Sequence, residues 1–138
     1  MVVRNIVLTL VVGIGLGYVA WTLSPPAWTP LKILGVCLAV PGFVLWTIAR
    51  FELGSSFVVT AQAKQLVTHG LYSRFLNPIY YFGSFTVAGF ILVMGRTQWL
   101  LIFVLLVPLQ IKRARKEAKV LEEAFGEQYR AYRAGTWF

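Results

Sequence analysis

Aspartate does not occur in this 138-residue sequence, and cysteine and histidine occur once each, at Cys37 and His69. A single cysteine rules out a disulfide framework within the chain, and one cysteine with one histidine rules out a Cys/His zinc site, so no metal centre is expected. Ser/His/Asp and Cys/His/Asp triads fail for want of the aspartate. No glycine-rich phosphate loop of the usual pattern is present. Charge of either sign is scarce: 13% of residues are charged, where a soluble domain carries about 25%. The acids are Glu52, Glu117, Glu122, Glu123 and Glu127 and no others, so carboxylate chemistry has few candidates.

Apolar side chains fill the space that charge leaves. Hydrophobic residues make up 58% of the chain, and the mean hydropathy is +0.71. Too few polar side chains remain to cover a globule of this size. A soluble enzyme, a disordered tail and a secreted disulfide scaffold are therefore poor readings, and an integral membrane protein is the good one. Thirteen Lys and Arg against five acids give a net charge of +8. That surplus points to an anionic membrane surface rather than nucleic acid, because most of the basic residues lie beside apolar spans.

The length suits one membrane domain over 1–138, with two N-terminal spans in 1–50 and the remainder in 51–138. Ile6–Leu23 is apolar for about the 18 to 20 residues that a bilayer-crossing helix needs. We read it as a span rather than a signal peptide, since Tyr18 and Trp21 stand where small cleavage-site residues belong. Ser24-Pro25-Pro26-Ala27-Trp28-Thr29-Pro30 breaks the helix, and Trp21 and Trp28 suit an interfacial belt. Residues 31–49 form a second span, where Pro41-Gly42 predicts a kink between packed helices. Residues 50–77 are neither apolar nor periodic and read as a membrane-surface segment. Two shorter apolar stretches, 78–95 and 98–111, predict a tight helical hairpin.

From Lys112 the chain is highly charged, yet helical periodicity continues. Ala114, Ala118, Leu121, Phe125, Tyr129 and Tyr132 recur at steps of three and four, forming one apolar stripe. At about 100° per residue Glu117 and Glu122 flank that stripe, while Glu123 and Glu127 point away from it. Gly126 allows a break. If the N-terminus is cytoplasmic, four spans return the tail to the same side, and all basic residues but Lys32 and Arg96 face the cytoplasm, as the positive-inside rule asks. The expected fold is all-α: a polytopic membrane protein of about four transmembrane helices, the last two a short hairpin, with a C-terminal amphipathic interfacial helix.

The densest polar cluster lies at 66–80, where Gly70 permits a tight turn and Asn77-Pro78 signals a turn entering a helix. Read from the residues alone, this is a loop capped onto a membrane helix by Asn77, with tyrosines as interfacial anchors. The pattern G-x-Y-x-x-x-x-[HN]-P-x-Y at 70–80, followed by E-x-x-x-L-x-x-x-F-G-x-x-Y-x-x-Y at 117–132, resembles the isoprenylcysteine carboxyl methyltransferase and phospholipid methyltransferase superfamily. Arg50-Phe51-Glu52-Leu53-Gly54-Ser55-Ser56-Phe57 resembles the Leu-Gly-x-Ser stretch that precedes the first block.

That resemblance implies a membrane methyltransferase using S-adenosylmethionine at the cytoplasmic face, with a lipophilic small molecule or lipid as acceptor and membrane lipids as surroundings. The cofactor-binding set it implies is His69, Gly70, Leu71, Tyr72, Asn77, Pro78, Tyr80, Glu117 and Leu121, with Asn77 and Glu117 also assigned to catalysis. Two positions depart from the family pattern. Leu76 stands where the family commonly has arginine, and Glu117 is followed by Ala118 where a second glutamate is common. The chemistry agrees with these parts, because a carboxylate can pair the cofactor ammonium in a partly dry site, and tyrosine faces favour a sulfonium. The acceptor is left open between a carboxylate and an amine. The alternative function is a non-catalytic membrane protein of the same fold, acting as a lipid-binding module or complex subunit.

Overall fold

The computed structural model describes residues 2–53 and 68–136. Every regular element among them is helical: α1 (Val2–Leu23), α2 (Pro30–Leu53), α3 (Pro78–Val93), α4 (Phe103–Phe125) and α5 (Glu127–Ala134), with 3-10 turns at Gly70–Ser73 and Thr97–Ile102. The all-α membrane architecture expected from the sequence is thus what the described residues adopt. Three helical stretches among them have the length and composition to cross a bilayer, Ile6–Leu23, Pro30–Glu52 and Thr97–Phe125, and Pro78–Val93 is a shorter apolar helix. At 16 residues α3 rises about 24 Å, less than the ~30 Å hydrocarbon core. The Leu-Gly-x-Ser stretch and Lys64 lie outside the described residues, apart from the backbone of Leu53.

One compact unit comprises Met1–Thr47 and Tyr81–Ile102. Here α1 turns Val3, Val7, Val11, Ile14 and Tyr18 outward, each more than half exposed, as a ridge suited to lipid tails. Without a hydrophobic drive between helices in lipid, small residues let backbones approach. Gly35, Ala39 and Gly42 form such a column on α2. A Cβ on Gly35 would stand 2.7 Å from the Gly89 carbonyl oxygen, and one on Gly42 would stand 3.0 Å from the Thr86 nitrogen. Pro41 is carried inside the continuous α2 helix.

The connection between α1 and α2 is closed by a buried cation. Lys32 is 3% exposed; its Nζ donates to the Pro25 carbonyl at 2.8 Å and lies 4.6 Å from the Trp21 ring and 4.8 Å from the Trp28 ring. The tryptophans expected as interfacial anchors therefore also enclose a lysine, and a desolvated cation–π contact is worth up to about 2 kcal/mol. Replacing Lys32 with methionine keeps the stem but loses the charge and the hydrogen bond. We expect a lower melting temperature for Lys32→Met in detergent, with the helical circular dichroism of the folded state unchanged; an unaltered melting temperature refutes the assignment.

The second compact unit comprises Ile48–Tyr80 and Phe103–Phe138. The apolar stretch ending at Ile111 and the charged tail were expected as separate helices, and they are one: α4 runs unbroken from Phe103 to Phe125. Lys, Arg, Ala and Glu are all good helix formers, so the change of polarity at Lys112 alters the solvent a residue seeks without interrupting the backbone. The break falls at Gly126, where φ is 54°. The predicted stripe is the inward one: Ala114, Ala118, Leu121, Phe125 and Tyr132 are half-buried and Tyr129 is buried, whereas Glu123 and Glu127 are exposed. On the outside, exposed Val104, Leu105, Leu109 and Ile111 give way to exposed Lys112, Arg115, Lys116 and Lys119.

Candidate functional site

The turn at Gly70–Ser73 exists because of its first residue and an acid 18 positions earlier. Gly70 has φ 61°, a left-handed conformation that L side chains adopt at a cost. A Cβ there would also run into the Glu52 carboxylate. Glu52, at the end of α2, accepts the Leu71 N–H at 2.8 Å. The Tyr72 N–H goes to the His69 carbonyl, and the Arg74 and Phe75 N–H groups go to the Leu71 carbonyl. The Leu71 and Tyr72 N–H groups of this turn are thereby engaged by the protein itself and are not offered to a ligand. What the turn presents is a side chain: Tyr72, 7% exposed, packs on Ala49 with Leu71 and Ile79 against it.

Pro78, fully buried, opens α3, and the Asn77 carbonyl accepts the Tyr80 N–H at 3.1 Å. That first helical turn aims Tyr80 at α4, where its hydroxyl donates to Glu117 Oε1 at 2.6 Å. The two sequence blocks, 37 residues apart, meet in this bond. Arg113, one helical turn before Glu117, donates through Nε to the same carboxylate oxygen at 3.3 Å, and its guanidinium lies 6.0 Å from the Tyr80 ring centre. Glu117 keeps 30% of its side-chain surface exposed, so it is reachable as well as anchored.

Burial pushes the Tyr72 phenol well above its ordinary range, and Tyr132, Glu117, Glu52 and Tyr80 push it further in the same direction. Each of these neighbours is a carboxylate or another phenol. The two carboxylates among them, of which Glu117 is shared with Arg113, are the groups near the Tyr72 hydroxyl that suit a positively charged guest. Tyr132, on α5, is pushed up to about 12, chiefly by burial and then by Tyr129. Arg130 fastens α5 across the Gly126 break, bonding Glu122 at 2.9 Å and Glu127 as well. Such exposed pairs are worth at most about 1 kcal/mol.

The implied site residues separate into two groups. Tyr72, Tyr80 and Glu117 come together, with Gly70, Leu71 and Pro78 shaping the backbone that delivers them. His69 is exposed, Asn77 half-buried, and Leu121 half-buried on the stripe; none of these three side chains makes a hydrogen bond with other described residues. Glu52 was not singled out by its sequence context. The available signal was its isolation, since it is the one acid in the first 116 residues.

The sequence profile described as phospholipid methyltransferase matches residues 30–128, the greater part of the chain. The chain belongs to that family. The resemblance carried by the two motifs is thereby borne out, and the match to the phospholipid methyltransferase family starts forty residues before the first of them, taking in all of α2. No curated protein sequence matches the chain significantly. Glu52, the Gly70–Ser73 turn, Tyr80 and Glu117 all fall within the phospholipid methyltransferase match.

Proposed function

We propose that this protein transfers a methyl group from S-adenosylmethionine to a lipophilic acceptor at the cytoplasmic face of a membrane. The observation that carries the reading is the Tyr80–Glu117 hydrogen bond, which closes the family's two motif blocks around Tyr72. The side chains present fit the cofactor by their chemistry. Glu117 offers a partly exposed carboxylate to an ammonium, a charge-assisted pairing stronger than a neutral one. The faces of Tyr72 and Tyr80 offer π electrons to a sulfonium, worth about 0.5–2 kcal/mol. S-adenosylmethionine, when bound, supplies an electrophilic methyl group.

Because such a transfer is an in-line displacement, the protein's contribution is chiefly to hold nucleophile and methyl aligned. Tyr80 and Arg113 fix the Glu117 carboxylate, and Glu52 fixes the turn that carries Tyr72. Asn77, at the head of α3, is the further polar group assigned to ligand. Of the two acceptor classes, the amine of a lipid headgroup fits better than a carboxylate. Two of the groups acting on Tyr72, Glu117 and Glu52, are carboxylates, which would oppose an incoming anion. An amine must shed a proton, and His69, exposed beside the turn, is the one histidine at hand. Leu76 in place of the family's arginine removes a cation from this neighbourhood, in keeping with that preference.

The test is incubation of membranes containing the protein with methyl-labelled S-adenosylmethionine, then lipid extraction. One arm contains phosphatidylethanolamine and the other a prenylated cysteine. We expect label in the phospholipid fraction, dependent on added protein. Label in the prenylcysteine alone overturns the acceptor assignment. No transfer together with no saturable cofactor binding overturns the enzyme reading and favours a non-catalytic lipid-binding role.

A further inference from the structure

Tyr132 carries a hydroxyl that packing does not explain. Its ring sits half-buried on α5, tilted against Tyr129 with ring centres 6.2 Å apart. Among the described residues the oxygen is sealed from solvent and finds no hydrogen-bond partner, and no other buried side-chain nitrogen or oxygen is in that condition. Buried polar groups in native proteins are almost always paired, and an exception calls for an unfilled partner. Phenylalanine would supply the same ring to the stripe without this cost.

The location indicates what the partner is. Tyr132 lies within electrostatic reach of Tyr72, which also feels Glu117, Glu52 and Tyr80. The break at Gly126 and the Arg130 bridge to Glu122 set α5 on its own axis beside the end of α4. The large exposed apolar side chains among the described residues stop at Ile111, so α5 offers lipid tails no surface. A contact to the water-soluble ligand is favoured over one to the acceptor's hydrocarbon. A protonated phenol can donate one hydrogen bond and accept another, which matches a ligand rich in hydroxyl, amine and carboxylate groups.

We propose that the Tyr132 hydroxyl is a cofactor-binding group, left unpaired by the protein so that bound S-adenosylmethionine completes its hydrogen bonding. This rests on the functional reading above and extends it: α5 becomes part of the ligand site rather than a packing or anchoring element.

Tyr132→Phe removes the oxygen and little else, and the inference gives it two effects of opposite sign. Without ligand, deleting an unpaired buried hydroxyl raises the melting temperature of the full-length chain in detergent by about 2 °C. With ligand, calorimetric titration gives S-adenosylmethionine affinity reduced about fivefold, the worth of one ordinary hydrogen bond. The stabilisation by saturating cofactor therefore shrinks while the starting stability grows. A Tyr132→Phe protein that binds the cofactor as tightly as wild type overturns the inference and leaves the functional reading intact, Tyr132 then being a packing residue of the stripe. Wild-type protein showing no saturable heat with S-adenosylmethionine overturns both, so the two failures are told apart by the wild-type titration alone.

Discussion

Glu117→Ala is expected to weaken S-adenosylmethionine binding by about tenfold, or 1.4 kcal/mol, and to lower the melting temperature as well. The two losses have different origins. Alanine removes the charge offered to the cofactor, and it strands the Tyr80 hydroxyl, whose bond to Glu117 Oε1 is 2.6 Å long. A half-buried donor left without its acceptor costs about 1–3 kcal/mol. Glu117→Gln separates these effects: the amide oxygen still accepts from Tyr80, so stability is largely kept while affinity falls. Glu123, exposed on the opposite face of the same helix, is the control. Calorimetry on the three variants checks the ordering, and equal losses for Glu117→Ala and Glu123→Ala refute the helix-face argument.

Gly70→Ala is expected to damage both folding and binding. The left-handed backbone at φ 61° costs an L residue about 1–2 kcal/mol. The new methyl also meets the Glu52 carboxylate, which must withdraw and leave the Leu71 N–H unpaired. Glu52→Ala loses that same hydrogen bond by another route. The double variant should therefore lose less stability than the two single losses summed, since the shared bond can be broken only once. Thermal unfolding of the four proteins in one detergent measures this coupling, and strict additivity refutes the brace.

Much of this architecture was legible in the sequence because it depends on periodicity. Apolar runs of sufficient length named the first two spans, and steps of three and four from Ala114 to Tyr132 named the inward stripe. The helix break at Gly126 was marked by its glycine. The continuity of α4 was not legible, because an abrupt change from Ile111 to Lys112 looks like a boundary when only side-chain polarity is read. The backbone follows local propensity, which does not change there. Within the site, the meeting of Tyr80 with Glu117 followed from two ordered motif blocks. Glu52 was hidden because its partner is a backbone N–H, and a backbone group leaves no residue type to match. The solitary Tyr132 hydroxyl was hidden for a related reason: spacing places a tyrosine on a stripe, but only packing shows that its oxygen has been shut in unpaired.

The switch from aliphatic to basic side chains on the outer face of α4 also works as a depth gauge. Glu117 stands six residues past Ile111, about 9 Å farther along the axis at 1.5 Å per residue. For an acceptor that is a phospholipid, that offset matches the layer where its polar end already resides. Such a molecule would meet the acidic side chain by drifting laterally, its acyl tails never leaving the oil, and the protein would need neither a carrier to extract it nor a tunnel to admit it.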